Sequence, residues 1–334
     1  MYFASKYIIQ GMSMGKNVVA LGELLIDFTD NGISPQGNPV MEANPGGAPC
    51  NVLAMLTKLG YQTAFIGKVG DDMFGKQLAD ALCEVGIGTD GLVYDKKIHT
   101  TLAFVHTFPD GDRDFSFYRN PGADMMLSED EIDEELIRNA EIFHFGSLSM
   151  TAEPVKNATI KALKTAKEAG VTISFDPNLR EPLWDSLDDA KREISFGMSR
   201  CDILKISDNE ITWFTGKVDF DEGVAALWEM YPDIKMILVS MGRDGSRCYQ
   251  KGRSVTVKPF LQEKTIETTG AGDTFCAGVL HYVLKQGLRD YSEDEMKDML
   301  TFANAAASII TTRKGALRVM PSKEEVEALI SERK

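Results

Sequence analysis

Apolar residues fall along this chain in two alternating rhythms. Short apolar runs of about four residues predict buried strands, and longer stretches with apolar positions three and four apart predict helices. On that basis strands are expected at 17–21, 63–66, 142–145, 172–175, 203–206 and 236–240. Helices are expected at 49–59, 74–85, 152–169, 187–198, 209–214 and 222–230, with a mostly helical last third. Glycines close several of these units, among them Gly22, Gly60, Gly86 and Gly88. Strands separated by helices of this length predict an α/β fold, a doubly wound and mainly parallel sheet flanked by helices. In such sheets sites lie at the carboxyl ends of the strands.

Two segments break the rhythm. Residues 28–44 are polar, with Gly, Pro and Asn throughout, and 100–118 alternate around a turn at Pro109-Asp110-Gly111. The second is a β-hairpin pattern. Strands outside the helical alternation predict a small β-lid over one edge of a single domain spanning 16–334, with lid segments near 28–44 and 100–119. Residues 1–15 carry one lysine and a short apolar patch, and Met14 precedes the first convincing strand. They make a poor signal peptide and are expected to be a disordered N-terminal extension.

Composition narrows the partners. With 334 residues, 43% of them apolar, the chain can bury a large core. A net charge of −14 repels nucleic acid and anionic lipid, so neither is an expected partner. No apolar run approaches the roughly 20 residues of a membrane span. The five cysteines include no CxxC pair, which suits small core residues in a reducing, cytoplasmic compartment. The four histidines lack metal-ligand spacing.

Candidate chemistry concentrates in residues 266–278, Ile-Glu-Thr-Thr-Gly-Ala-Gly-Asp-Thr-Phe-Cys-Ala-Gly. Glycines followed by apolar positions at helical spacing predict a tight turn feeding a buried helix. Free N–H groups at such a terminus, with the helix dipole behind them, favour a phosphate. Asp273 is badly placed as a cap there and better placed to take a proton from an attacking hydroxyl. A second glycine turn, Gly46-Gly47-Ala48-Pro49-Cys50-Asn51, opens another helix, with Asn51 offering both donor and acceptor. Asp27 is a carboxylate suited to a sugar diol, and Arg119 stands at the hairpin's return. Gly70 to Lys76 spells most of a P-loop, but Gln77 stands where Ser or Thr should hold Mg²⁺ and two aspartates sit inside. That turn is expected only to start the helix from Phe74.

Taken together, the two glycine motifs, about 220 residues apart and in this order, resemble the PfkB (ribokinase-like) family of sugar kinases across the chain from about Lys16. Residues 117–125 (Phe-Tyr-Arg-Asn-Pro-Gly-Ala-Asp-Met) and 175–180 (Phe-Asp-Pro-Asn-Leu-Arg), with Pro182-Leu183-Trp184, are similar to its fructokinase branch. The resemblance implies transfer of the γ-phosphoryl of ATP to the 6-hydroxyl of D-fructose, with a 2-keto-3-deoxygluconate kinase as the alternative. A ribokinase and a catalytically inactive sugar-binding regulator stand behind these. It implies Asp273 as base, the N–H groups of Gly270, Ala271 and Gly272 as anion hole, and Asp27, Gly47, Asn51 and Arg119 as sugar contacts. Ser240, Gly242, Gly245, Gly272 and Asn304 are implied at the nucleotide, and Glu210 near Mg²⁺ and the phosphates. Glu267, Thr269 and Gly315 are implied at a K⁺ site, and a homodimer through the lid. Two departures weaken parts of this. Ser207 stands where the family has Asn in its Asn-x-x-Glu motif, and Glu267 where relatives have Asp.

Overall fold

The structure, a computed structural model, describes residues 16–107 and 113–333. The residues 1–15 and the hairpin turn at 109–111 lie outside it. The chain begins with strand β1 (Val18–Leu21), then β2 (Leu25–Ile33), β3 (Pro39–Gly46) and helix α1 (Ala48–Lys58). Strand β4 (Thr63–Gly70), α2 (Met73–Val85), β5 (Gly88–Asp95), β6 (Leu102–Thr107) and β7 (Arg113–Tyr118) follow. The middle of the chain alternates: α3 (Glu134–Arg138), β8 (Ile142–Gly146), α4 (Glu153–Glu168), β9 (Thr172–Asp176), α5 (Leu187–Met198) and β10 (Ile203–Ser207). Then come α6 (Asp208–Thr215), α7 (Phe220–Met230), β11 (Met236–Ser240), β12 (Ser246–Gln250) and β13 (Arg253–Val257). Three helices close the chain: α8 (Ala271–Gln286), α9 (Glu293–Ile310) and α10 (Lys323–Glu332).

Nine strands form one sheet in the order β13-β12-β11-β10-β9-β8-β1-β4-β5. All neighbours are parallel except at one edge, where β12 runs against β11 and β13 against β12. The sequence explains why this sheet is buried on both faces. Along β1, Val18 and Ala20 join one apolar cluster while Val19 and Leu21 join the other. Strand β11 repeats this, with Met236 and Leu238 on one side and Ile237 and Val239 on the other. A period of two with apolar residues at every position is what a doubly covered parallel strand requires. The doubly wound, mainly parallel sheet expected from the hydrophobic pattern is therefore present.

Strand β1 lies between β4 and β8, so the chain winds outward in one direction through β4 and β5 and in the other from β8. This reversal opens a crevice at the carboxyl ends of the central strands. Above it stands a second sheet of four strands, β3-β2-β6-β7. Residues 28–44, polar throughout, are thus two long antiparallel strands. Their polarity hides the strands because Asp27 and Thr29 face a cavity while most positions from Asp30 to Val40 are exposed. The phenyl rings of Phe28 and Phe104 stack 4.8 Å apart on the other face, and Tyr118 packs edge-on at 5.2 Å.

Three more strands are absent from the hydrophobic pattern. The last third is mostly helical, as expected, but it also holds β12 and β13, a hairpin whose alternation is short and interrupted by Lys251 and Gly252. Strand β5 was also hidden, since Gly88, Thr89 and Asp90 look like a turn, yet backbone pairing to β4 extends it. The P-loop-like turn serves to start α2, as expected. The Asp72 carboxylate caps it by accepting from the N–H groups of Phe74 and Gly75, at 3.0 and 2.8 Å.

Candidate active site

Helix α8 begins at the crevice. Gly270 caps it in the left-handed region, φ 77°, which a side chain rarely tolerates. Ala271 N–H turns back onto the Thr268 carbonyl at 3.2 Å. The implied anion hole is therefore narrower than the motif suggests. Among the described residues, the N–H groups of Gly270 and Gly272 have no protein acceptor, whereas that of Ala271 closes the turn. Beyond this terminus the helix is buried from Asp273 to His281, so its dipole ends against the cavity with little water to screen it.

Asp273 is buried, and its Oδ2 accepts from Nδ2 of Asn51 at 2.8 Å, joining the two glycine motifs across 222 residues of sequence. Burial raises its pKa above the usual carboxylate range, against the lowering influence of Asn51, Lys205 and Arg180. Asn51 keeps Oδ1 without a partner although the atom is buried. A buried acceptor left unpaired costs about 1–3 kcal/mol, which a ligand hydroxyl would relieve. Asn51 is aimed by the turn before α1. Gly47 adopts φ 128°, and a Cβ there would sit 2.3 Å from the Glu23 carbonyl oxygen. The Glu23 carboxylate accepts from Ala48 N–H at 2.8 Å and holds that turn down.

A cavity of about 410 Å³ surrounds these groups. Its walls include Asp27, Gly47, Asn51, Arg180, Lys205 and Asp273. Burial, opposed by Arg180, pushes the Asp27 carboxyl up to about 7, and burial pushes Glu23 to about 7 as well. A second cavity of about 460 Å³ runs along the other side of α8, lined by Ser240, Gly242, Gly245, Phe260 and Asn304. It is the more apolar of the two, with Pro259, Leu261, Phe275 and Ala307 in its walls. Thr268 and Gly272 line both cavities, so the two meet at the first turn of α8. Asn304 is part of the frame. It accepts from Ser246 Oγ at 2.9 Å and donates to the carbonyls of Val257 and Lys258, pinning the end of β13 to α9.

Glu210 lies at the rim of an adjoining cleft shared with Asn178, Arg180 and Lys205. Both of its oxygens are engaged: Oε1 accepts from Leu179 N–H at 2.7 Å, and Oε2 from the N–H and hydroxyl of Ser207, each at 2.8 Å. Ser207, which replaces the family's Asn, thus completes a capping box for α6. Glu267 and Gly315 are joined, the Gly315 N–H donating to Oε1 at 2.8 Å, and Thr269 lines the same cavity wall as both.

Arg119 is where the structure departs from the expected sugar contact. Its side chain is 2% exposed and does not line the cavity. Nε pairs with Asp124 at 2.7 Å, Nη1 donates to Thr151 Oγ1 at 2.9 Å and Nη2 to the Leu148 carbonyl at 3.0 Å. Buried with a carboxylate partner, the guanidinium braces Leu148, which does line the cavity. Its position beside the exposed hairpin gave no hint of this, because Asp124 is five residues away in a turn whose shape the sequence does not reveal. The arginine that does line the cavity is Arg180, exposed at its mouth. Lys205 was also missed: one lysine inside an apolar strand looks like an interruption. Its ammonium lies 2.9 Å from Asp176 Oδ2, deep in the site.

This geometry agrees with the comparisons to known proteins. The model of the pfkB family carbohydrate kinases matches residues 15–323. Fructokinase-2 of Solanum habrochaites is 43% identical over 326 residues, covering 96% of this chain and 98% of the relative. Among solved structures, a fructokinase from Xylella fastidiosa with bound ATP superposes with a TM-score of 0.85 at 31% identity, covering 95% of this chain and 99% of that one. A fructokinase from Vibrio cholerae O395, in a form with fructose, ADP and calcium ion, superposes at 0.84 with 28% identity and covers 95% and 99%. With a nearly full-length family match and a relative this similar along its whole length, the chain belongs to the pfkB family of carbohydrate kinases.

Proposed function

We propose that this protein is an ATP-dependent fructokinase that transfers the γ-phosphoryl group to the 6-hydroxyl of D-fructose, with Asp273 as the base. The observation that carries this reading is the meeting of a polar cavity and a more apolar one at Gly272, beside a buried carboxylate. A sugar in the first cavity and a nucleotide in the second would meet head to head at the helix terminus. Phosphoryl transfer needs little beyond this positioning and the stabilisation of charge. In the proposed complex Asp27 accepts from sugar hydroxyls and the orphaned Asn51 Oδ1 takes another. Asp273 accepts the 6-hydroxyl proton as the bond to phosphorus forms.

A divalent cation, Mg²⁺ in the ordinary case, neutralises the ATP phosphates when bound. Glu210 suits a hydrated ion held chiefly by those phosphates, since each of its oxygens already accepts a hydrogen bond. A K⁺ ion belongs, in this reading, beside Glu267, Thr269 and Gly315, where the Glu267–Gly315 bond already closes the loop. The five thiols are free, and four are buried, which suits a reducing cytoplasm.

The second sheet acts as the lid of this single-domain enzyme: Asp27, Thr29, Val105 and Phe117 turn one of its faces to the sugar cavity. Its other face, ending in the exposed Tyr118, is the surface proposed for a homodimer. Saturating fructose should slow amide exchange in 25–46 and 102–118 more than in the core strands. Unchanged protection in both segments would rule the lid out.

The substrate is tested by steady-state kinetics with MgATP and a panel of fructose, 2-keto-3-deoxygluconate, ribose and mannose. Fructose should give the highest kcat/KM by at least tenfold. A preference for 2-keto-3-deoxygluconate would reassign the substrate, and saturable binding without turnover of any sugar would make the chain a binding module.

A further inference from the structure

We propose that Lys205 is a further catalytic residue, whose ammonium contacts the transferred phosphoryl group, and that Asp176 is the positioning residue that aims it. The inference rests on the fructokinase reading for the reaction and on the geometry around α8 for the residue. Lys205 lies on β10, two positions before that strand ends at the crevice, and Asp176 is the last residue of β9 beside it. The ammonium is 2.9 Å from Asp176 Oδ2, and the other oxygen of that carboxylate accepts from Asn178 N–H at 3.1 Å. Asp176 is therefore fixed on both sides.

Nζ also marks the phosphoryl path. A Cβ built on Gly272 would stand 3.2 Å from it, so the ammonium rests against the helix turn that carries the open N–H groups of Gly270 and Gly272. Lys205 lines both the sugar cavity and the cleft containing Ser207 and Glu210. It therefore borders the space between the reacting hydroxyl and the proposed metal–phosphate region. An ammonium has three hydrogens to donate. Among the described residues, Asp176 is the one partner found for this ammonium, which is 7% exposed. Burying a cation with donors to spare is unfavourable unless something else arrives to accept them. Burial opposes its charge, but the carboxylates of Asp176, Glu210 and Asp273 outweigh that and raise the pKa, so it enters the reaction protonated.

The step balances without a proton from lysine. The 6-hydroxyl oxygen forms a bond to the γ-phosphorus, its proton passes to Asp273, and the bond to the β,γ-bridging oxygen breaks with its electron pair leaving on ADP. Lys205 keeps its three hydrogens and donates to the equatorial oxygens, where charge is spread in the transition state.

The test uses the full chain with Lys205→Met, which keeps most of the stem and removes the charge. Fructose turnover by the wild type decides the fructokinase reading separately. For the lysine, we expect kcat to fall about 10²–10³-fold, while the Kd values of fructose and MgADP stay within threefold. Addition of aluminium fluoride, which mimics the transferred group, should tighten MgADP binding in the wild type and at least tenfold less in the variant. A kcat within threefold of wild type, or unchanged tightening by aluminium fluoride, would overturn the proposal. The double variant Asp176→Asn/Lys205→Met removes the unpaired carboxylate that the single change leaves behind. It should melt at or above the single variant yet remain as slow; recovery of turnover in the double variant would show that Lys205 merely neutralises Asp176. Should the single variant fail to fold, the double variant is read by the same binding and turnover criteria.

Discussion

Asp273→Asn is expected to leave a folded protein that binds fructose and MgATP but turns over about 10²–10⁴ times more slowly. The amide is nearly isosteric and can present its oxygen to Asn51 Nδ2, so the 2.8 Å bond that ties α1 to α8 survives. What disappears is the proton acceptor beside the open N–H groups of Gly270 and Gly272. Stability should hold or rise. Burial raises the folded-state pKa of Asp273. The folded state thus binds this proton more tightly than the unfolded chain, and stability falls as pH rises past the unfolded value. Asparagine removes that cost. The acid limb of kcat/KM should likewise lie above the ordinary carboxylate range in the wild type. Steady-state kinetics, fructose calorimetry and a thermal melt decide it: a variant keeping more than a tenth of wild-type kcat would take the base role from Asp273.

Much of this site is legible in the sequence because its chemistry is local along the chain. The turn at Gly270–Asp273 and the turn at Gly46–Asn51 each announce themselves through glycine spacing and a following apolar helix. The parallel sheet was legible for a related reason: runs such as 18–21 and 236–239 are apolar at every position, and few other structures use such runs. The losses have a common cause. Strands β2 and β3 turn polar residues to the cavity and β5 is held at the sheet edge by pairing to β4, so none of them shows the apolar run of a central strand. Lys205 and Asp176 are 29 positions apart and meet only because β9 and β10 are neighbours. Arg119 and Arg180 both precede or end polar turns, and nothing in either residue's surroundings says which guanidinium turns inward.

Arg119→Ala is accordingly expected to act on stability first. Removing a guanidinium that is 2% exposed leaves the Asp124 carboxylate, equally buried, without its cation. It also strips donors from Thr151 Oγ1 and the Leu148 carbonyl. Breaking one side of a buried pair costs about 3–5 kcal/mol, a large part of the roughly 5–15 kcal/mol that holds a typical domain together. Arg180→Ala offers the contrast. That side chain is exposed at the cavity mouth, so its loss should change unfolding free energy by no more than about 0.5 kcal/mol while raising KM for fructose. Urea denaturation of both variants, with kinetics on the same preparations, separates the two arginines. The double variant Arg119→Met/Asp124→Leu should recover much of the lost stability, because replacing a buried pair with apolar groups removes the unpaired charge. If Arg119→Ala unfolds at the wild-type urea midpoint but loses its preference for fructose, the guanidinium reaches the sugar in the closed enzyme and its place beside Asp124 belongs to the open one.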